Sequence, residues 1–144
     1  MAFHRFCKAI LQHQPLSIYG DGEQTRDFTY VSDVVEANIR AATVDEAVGE
    51  VMNIAGGSRV TVHHIIDILR EITDSHVSVA IGNKQYGDVR HTFADTEHAE
   101  HLIGYHPVVS LREGLANEFE YIQSLDVADR FFEKYHSRIE SAKQ

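Results

Sequence analysis

The apolar residues of this chain recur at two different spacings, which predict two kinds of element. Spacings of three and four residues are typical of an amphipathic helix, and apolar residues at every second position are typical of a strand. The first spacing predicts helices over residues 3–11, 33–43, 62–72, 97–103 and 111–125. Short apolar or alternating runs predict strands over residues 16–19, 28–31, 50–54 and 76–81. Because helices and strands alternate, the sequence predicts an α/β or α+β fold with a short, partly parallel sheet.

Polar residues and glycine mark where these helices begin and end. Residues with short polar side chains stand at the predicted N-caps, where a side-chain oxygen accepts a backbone N–H: Asp33, Thr61, Thr96 and Ser110. Asp33 and Ser110 are each followed three residues later by glutamate, which is the pattern of a capping box. Pro15 ends the first helix and Gly104 the fourth.

Length and charge narrow the class of protein. The 144 residues are 43% hydrophobic and 24% charged, which is typical of one globular domain or a large piece of one. The formal net charge of −9 argues against nucleic-acid binding, and any phosphate site would need a local cluster of cations. No apolar run reaches the roughly 18 residues that span a bilayer, and the first residues show no signal-peptide pattern. We therefore expect a cytoplasmic protein without a membrane partner.

Cysteine and histidine usage gives little support to a metal site. Cys7 is the only cysteine, which excludes an internal disulfide and a multi-cysteine metal site. Its apolar neighbours favour a buried thiol. His98 and His101 lie three residues apart, but they do not form a His-Glu-x-x-His motif, and their charged neighbours are typical of a solvated helix face. We expect no metal cofactor.

Two segments carry a specific resemblance to a known family. Residues 15–35 read PLSIYGDGEQTRDFTYVSDVV and residues 87–96 read GDVRHTFADT, with VMNIAGGS at residues 51–58 between them. In order and spacing these segments resemble NAD-dependent epimerases and dehydratases of nucleotide sugars, which are extended short-chain dehydrogenases/reductases. The UDP-glucose and UDP-glucuronate 4-epimerases are the most similar members. The resemblance covers residues 1–125, which it identifies as the C-terminal nucleotide-sugar-binding part without most of the Rossmann domain. Residues 126–144 are predicted to be a charged helical tail.

The resemblance implies a role for five residues. Ser17 and Tyr19 match positions that lie against uracil, where an aromatic ring contributes about 1–3 kcal/mol of stacking. Arg26 matches the arginine that grips the pyrophosphate, which suits the forked guanidinium. Asp88 matches a carboxylate that hydrogen-bonds ribose hydroxyls, and Arg90 adds a second cation.

One residue departs from the family pattern. Many relatives carry an arginine three residues before the aspartate of the Gly-Asp pair, and this chain has Gln85 there. Tight pyrophosphate binding then depends on Arg90 as the second cation.

Simpler structural roles remain open for the same residues. Tyr19 suits a strand residue that packs on a core, and Asp88 suits a turn residue after glycine.

The two arginines also suit surface ion pairs. Arg26 lies close in sequence to Asp27 and Asp33, and Arg90 lies close to Asp95.

The chain lacks the family's catalytic parts, so the resemblance implies no catalytic residue here. The family holds NAD with a Gly-x-x-Gly-x-x-Gly loop and moves a proton with a Tyr-x-x-x-Lys pair. Neither pattern occurs, and Tyr86 has Arg90 at the lysine position. In the family fold, parts of this chain pack on the dinucleotide-binding sheet. We therefore expect exposed apolar residues, namely Val34, Val35, Ile39 and Val51.

These observations leave three hypotheses. The chain is the UDP-sugar-binding part of a 4-epimerase and depends on a separate NAD-binding chain for catalysis, or it is a stand-alone UDP-sugar-binding module. The third hypothesis is a truncated product without activity of its own. Exposed apolar surface predicts a partner chain, self-association or a marginally stable fold.

Overall fold

The computed structural model describes residues 2–84 and 86–125. In chain order these residues form α1 (Ala2–Leu11), β1 (Leu16–Tyr19), β2 (Thr25–Asp27), α2 (Val31–Thr43), a short 3-10 helix (Asp45–Ala47), β3 (Arg59–Thr61), α3 (Val62–Thr73), β4 (Val79–Gly82), α4 (Glu97–Ile103) and α5, described over residues 111–125. The predicted tail at residues 126–144 lies outside the described residues, as does Gln85. None of the helices described here is both long and apolar enough to cross a bilayer.

The four strands form two small sheets. β1 pairs with β4 in parallel, with Leu16 opposite Val79 and Tyr19 opposite Gly82. β2 pairs with β3 in antiparallel orientation, and Thr25 also makes an isolated parallel bridge to His91. The predicted mixed fold with a short, partly parallel sheet is confirmed.

The main core forms where α1, α3 and α5 pack around β1. It contains these buried residues: Phe6, Cys7, Ile10, Leu16, Ile18, Ile65, Ile66, Ile68, Leu69, Val77, Leu115 and Ile122. Side chains alternate between the two faces of a strand, so Leu16 and Ile18 are buried while Ser17 and Tyr19 face outward. The core thereby fixes the direction in which two predicted site residues point. Burial, followed by the charge of Glu118, raises the pKa of the Cys7 thiol to about 11.

A second, smaller cluster joins α2 to α4. Its buried residues are Ala37, Ala47, Ala99, Ile103 and Tyr105. The Tyr105 hydroxyl donates to the carbonyl of Ala55 at 2.8 Å. The buried Asp33 carboxylate accepts the backbone N–H groups of Val108 and Val109, each at 3.3 Å. These bonds fasten the start of α2 to the segment that precedes α5.

The start of α2 corrects two predictions. The predicted strand at residues 28–31 is absent; the strand lies earlier, at Thr25–Asp27, because that segment has β3 as its partner. The helix begins at Val31, with Tyr30 as the N-cap residue and no side-chain cap. Asp33 therefore lies within the first turn and is not a cap, since its carboxylate bonds to the segment before α5.

Three other element boundaries also differ from prediction. Residues 50–54 form no regular strand, because no neighbouring strand among the described residues pairs with them. β4 begins at Val79 and not at residue 76, since its register with β1 starts there. Thr96 makes no side-chain cap; the carboxylate of Asp95 accepts the N–H of Glu97 at 2.9 Å instead.

The predicted helix ends at Thr61, Ser110 and Gly104 are confirmed, whereas α1 ends at Leu11, before Pro15. The Thr61 hydroxyl accepts the N–H of His64 at 3.1 Å at the start of α3. The Ser110 hydroxyl accepts the N–H of Glu113 at 3.2 Å at the start of α5. Gly104 ends α4 in the left-handed conformation, which glycine adopts without a steric cost.

The predicted apolar surface is confirmed on one face of α2. Val35 and Ile39 are 51% and 55% exposed, and Val31, one turn earlier, is also exposed. Val34 lies beside them at 37%, and Val51, in the irregular segment after the 3-10 helix, is 89% exposed.

At Gly56, the segment before β3 lies very close to the backbone that follows β2. A Cβ atom at Gly56 would overlap the carbonyl oxygen of Phe28, and the Gly56 N–H donates to the Asp27 carboxylate at 3.0 Å. We expect Gly56→Ala to lower the free energy of unfolding by about 3 kcal/mol, since backbone must move. Gly49→Ala is the control: its φ of +82° is strained, but nothing lies within 4 Å, so we expect a loss of about 1 kcal/mol. Equal losses in urea unfolding would contradict this account.

Candidate functional site

The carboxyl ends of β1 and β4 open on a cavity of about 260 Å³. Eight residues line this end-of-strand cavity: Tyr19, Gly20, Asp21, Gln24, Lys84, Asp88, Val89 and Arg90. Small-molecule ligands of α/β proteins commonly bind beyond the carboxyl ends of parallel strands. The first half of the lining follows β1 and the second half follows β4, so the parallel pairing brings the two predicted motifs to one place.

A tight turn after β1 forms one wall of the end-of-strand cavity. Gly20 and Gly22 have φ values of +71° and +75°, which suit glycine. The side chain of Gln24 donates to the carbonyl of Tyr19 at 2.9 Å. His63, in the first turn of α3, donates from Nε2 to the carbonyl of Asp21 at 2.8 Å. Both ends of the turn are therefore fixed to neighbouring structure.

Asp21 and Arg90 form a salt bridge across the end-of-strand cavity. Nη1 of Arg90 lies 2.9 Å and 2.7 Å from the two carboxylate oxygens of Asp21. This bond, with a second from the N–H of Glu23, lowers the pKa of the Asp21 carboxyl below its ordinary value. The contacts engage one nitrogen of the Arg90 guanidinium, which has further N–H donors.

Arg26 and Asp88 form the second ion pair of the site. Nη2 of Arg26 contacts Oδ1 of Asp88, and Nη1 donates to the carbonyl of Thr25 at 2.8 Å. A longer bond of 3.4 Å joins Nη1 to the carbonyl of Arg90. The arginine of the first motif thus touches the aspartate and the backbone of the second.

Backbone hydrogen bonds hold the two motifs against each other. Thr25 donates its N–H to the carbonyl of Arg90 at 3.0 Å and accepts the N–H of Thr92 at 3.1 Å. Its hydroxyl lies 2.8 Å from Nδ1 of His91. This short ladder places Arg90 beside β2 independently of the side-chain ion pairs.

The aromatic residue of the site lies at the end of β1. Tyr19 is 37% exposed, and the guanidinium carbon of Arg5 lies 5.8 Å from its ring centroid, within the range of a cation–π contact. Ser17 does not line the end-of-strand cavity. Ser17 lies two residues earlier on the same outward face of β1. It lines a separate cavity, which Arg5 also lines.

The structure therefore brings four of the five predicted residues together. Tyr19, Asp88 and Arg90 line one cavity, and Arg26 adjoins it through Asp88; Ser17 lies apart.

The alternative ion pairs considered for the two arginines do not form among the described residues. Arg26 pairs with Asp88 and not with Asp27 or Asp33, and Arg90 pairs with Asp21 and not with Asp95.

Three polar side chains that line the cavity were not among the predicted site residues, namely Asp21, Gln24 and Lys84. Asp21 and Gln24 belong to the turn after β1, and their signal is the pair of glycines that fixes the turn. Lys84 lies directly before Gln85, so its signal is a cation beside the position where relatives carry arginine.

A larger cavity elsewhere is less suited to an anionic ligand. It measures about 380 Å³ and lies between Phe28, Gly56 and residues 107–111. No charged side chain is among the residues that line it.

Comparison with known proteins assigns the chain to a family. The model of the GDP-mannose 4,6 dehydratase family matches residues 3–118. The chain belongs to the NAD-dependent epimerase/dehydratase family of extended short-chain dehydrogenases/reductases.

Relatives and solved structures of this family are similar over most of the chain. An uncharacterized UDP-glucose epimerase of Bacillus subtilis is 39% identical over 125 residues, which are 87% of this chain and 40% of that protein. The UDP-glucuronic acid 4-epimerase of Bacillus cereus, solved with UDP-glucuronic acid and NAD, is 39% identical, with a TM-score of 0.84 over 87% of this chain and 40% of that one. The UDP-glucose 4-epimerase of Thermotoga maritima, solved with UDP-glucose, is 37% identical, with a TM-score of 0.78. The match covers 83% of this chain and 38% of that one. The chain thus spans about two fifths of these proteins.

The pKa of Asp21 offers a direct test of the site geometry. Its carboxyl pKa is low because Arg90 and the N–H of Glu23 hold the charged form. In Arg90→Gln we expect this pKa to rise towards its ordinary value, as followed by carboxyl chemical shifts in an NMR titration. Because the folded-state pKa is the lower one, any stabilisation from the pair is present above the unfolded-state pKa and is lost as pH falls through the folded-state pKa. Arg112→Gln, which removes a cation paired with Glu71, is the control and leaves the Asp21 pKa unchanged. An unchanged pKa in Arg90→Gln would contradict the bridge.

Proposed function

We propose that this chain is the UDP-sugar-binding, C-terminal part of an NAD-dependent nucleotide-sugar 4-epimerase of the UDP-glucose or UDP-glucuronate type. The observation that carries the proposal is the meeting of Arg26 and Arg90 beside Tyr19 at the ends of β1 and β4. A nucleoside diphosphate sugar presents a flat base and a pyrophosphate, which an aromatic ring and two guanidinium groups recognise. The similar epimerases solved with UDP-glucuronic acid and UDP-glucose support this choice of ligand.

Each part of the ligand has a proposed contact. The uracil lies along the outward face of β1, with Tyr19 as the stacking partner and Ser17 as a polar neighbour. Arg26 and Arg90 bind the pyrophosphate through N–H groups that their carboxylate partners leave available. Asp88 accepts hydrogen bonds from the ribose hydroxyls.

We propose that this part of the protein does not catalyse epimerisation alone. NAD, when bound in the family, takes up and returns the hydride at C4 of the sugar. Its pyrophosphate requires a glycine-rich loop that leads from a strand into a helix. Among the described residues, the glycine turn after β1 leads to β2, and β3 enters α3 at Thr61 without glycine. These residues do not fit the cofactor, so their proposed task is to bind and orient the sugar nucleotide.

The apolar face of α2 is the proposed contact with a dinucleotide-binding domain. Val31, Val35 and Ile39 repeat every four residues along one exposed stripe. The irregular residues 50–54 follow, and among the described residues they have no strand partner. A sheet edge covers both features at once, because it offers strand pairing to the segment and an apolar surface to the helix. The similar Bacillus cereus enzyme, of which this chain spans 40%, was solved with NAD.

A second candidate function is a stand-alone UDP-sugar-binding module. One observation favours it: backbone and side-chain bonds within this chain already hold Arg26, Asp88 and Arg90 together beside β2. Binding of the nucleotide then requires no second domain, although catalysis does.

Calorimetric titration with UDP-glucose and with UDP tests the proposed ligand. We expect both to bind, and Arg26→Ala to weaken both at least about ten-fold, because a charged hydrogen bond to phosphate contributes about 1.5–3 kcal/mol. Arg70→Ala is the control, since Arg70 pairs with Asp67 on α3 and lies outside the cavity. If a demonstrably folded chain binds neither ligand, the proposed site and the stand-alone module are both wrong.

Sedimentation velocity tests the proposed contact at α2. We expect the chain to self-associate in the absence of a dinucleotide-binding domain, and Val35→Asp with Ile39→Asp to return it to a monomer, since charges oppose burial of the stripe. Tyr121→Asp changes an exposed apolar residue of α5 and is the control. A heat-resistant monomer at all concentrations would overturn the docking role of this face.

A further inference from the structure

The two arginines at the candidate site, Arg90 in the cavity and Arg26 beside it, present little net charge to a ligand. Arg26 is paired with Asp88, and Arg90 is paired with both carboxylate oxygens of Asp21. Each pair sums to zero, so its field falls off quickly with distance. The arginines still offer directed N–H donors, but the pairs alone do not attract an anion.

Lys84 is a third cation at the cavity, and it belongs to neither of these two ion pairs. Lys84 lines the cavity beside the turn after β1, since a Cβ built at Gly20 would lie 4.0 Å from Lys84 Cβ. Within residues 2–84 and 86–125, Lys84 takes part in no salt bridge, unlike Arg26 and Arg90. Three cations and two carboxylates therefore meet at the site, with a balance of +1.

This surplus charge matters because the whole chain repels anions. The formal net charge is −9, and a diphosphate approaching the surface meets this field before it reaches the arginines. A single unpaired ammonium beside the cavity attracts an anion over the last few ångströms, which lie within a Debye length of about 8 Å at physiological salt.

We propose that Lys84 is a specificity-determining residue that lets the cavity select a nucleoside diphosphate over the uncharged nucleoside. The inference rests on the proposed UDP-sugar function, and it assigns different roles to the three cations of the site. Arg26 and Arg90 provide the direction of the hydrogen bonds, and Lys84 provides the net attraction. The flexible stem and compact charge of lysine suit attraction that does not depend on one geometry.

Calorimetry on the full chain with UDP, and with uridine by competition, separates charge from shape. In Lys84→Gln we expect UDP to bind roughly five-fold more weakly, which is the effect of losing one exposed charge pair. We expect the affinity for uridine to be unchanged, because uridine has no phosphate. The salt dependence of UDP binding should also become shallower, and Lys84→Arg should restore the wild-type values.

Arg112→Gln is the matched control for the change in net charge, because Arg112 pairs with Glu71 and does not line the cavity. It leaves UDP binding unchanged if the effect of Lys84 is local. Equal UDP affinity in Lys84→Gln and wild type overturns the proposal, and so does an equal loss for UDP and uridine, which would indicate a role in loop packing. If the wild-type chain does not bind UDP, the proposed function itself is wrong, and this inference is wrong with it.

Discussion

The backbone bonds of Thr25 are the constraint on which the candidate site depends. Thr25 and His91 are 66 residues apart in the chain, yet Thr25 bonds to the backbone on both sides of His91. Loop closure over such a length costs entropy, which the shared core of α1, β1, α3 and α5 offsets by apolar burial. Once β1 and β4 are parallel neighbours, the chain after each strand emerges at the same edge, and the two motifs meet there. The ion pairs between them follow from this placement and are too exposed to create it.

The parts of the fold that were predicted correctly depend on contacts between residues that are close in the sequence. Thr61 and Ser110 cap their helices because a hydroxyl reaches an N–H three residues on, which requires no distant partner. Gly104 ends α4 for an equally local reason. Alternation within β1 is equally local, and it places Ser17 and Tyr19 on the outward face of the strand, opposite the buried Leu16 and Ile18.

The errors occur where a distant partner decides the outcome. Asp33 has the sequence position of a cap, but its carboxylate bonds to Val108 and Val109, which no local pattern reveals. Residues 50–54 have the composition of a strand, but a strand exists only when another strand accepts its hydrogen bonds. The pairing of Arg90 with Asp21 is missed for the same reason. In the sequence, Asp21 lies between two glycines and is therefore interpreted as a turn residue.

The exposed α2 stripe and residues 50–54, which pair with no strand among the described residues, suit the proposed contact with a dinucleotide-binding domain. The buried Asp33 fastens α2 from its other side, since its carboxylate accepts the N–H groups of Val108 and Val109. Among the described residues, the helix is therefore held in place while its apolar face stays exposed. Such a helix is prepared for docking, since little conformational entropy remains to be lost when a partner binds. The end-of-strand cavity, by contrast, lies beyond the carboxyl ends of β1 and β4, and no residue of α2 lines it. Under the proposed function, binding of the sugar nucleotide and docking of a cofactor domain therefore use separate surfaces, and a chemistry that needs both can be divided between them.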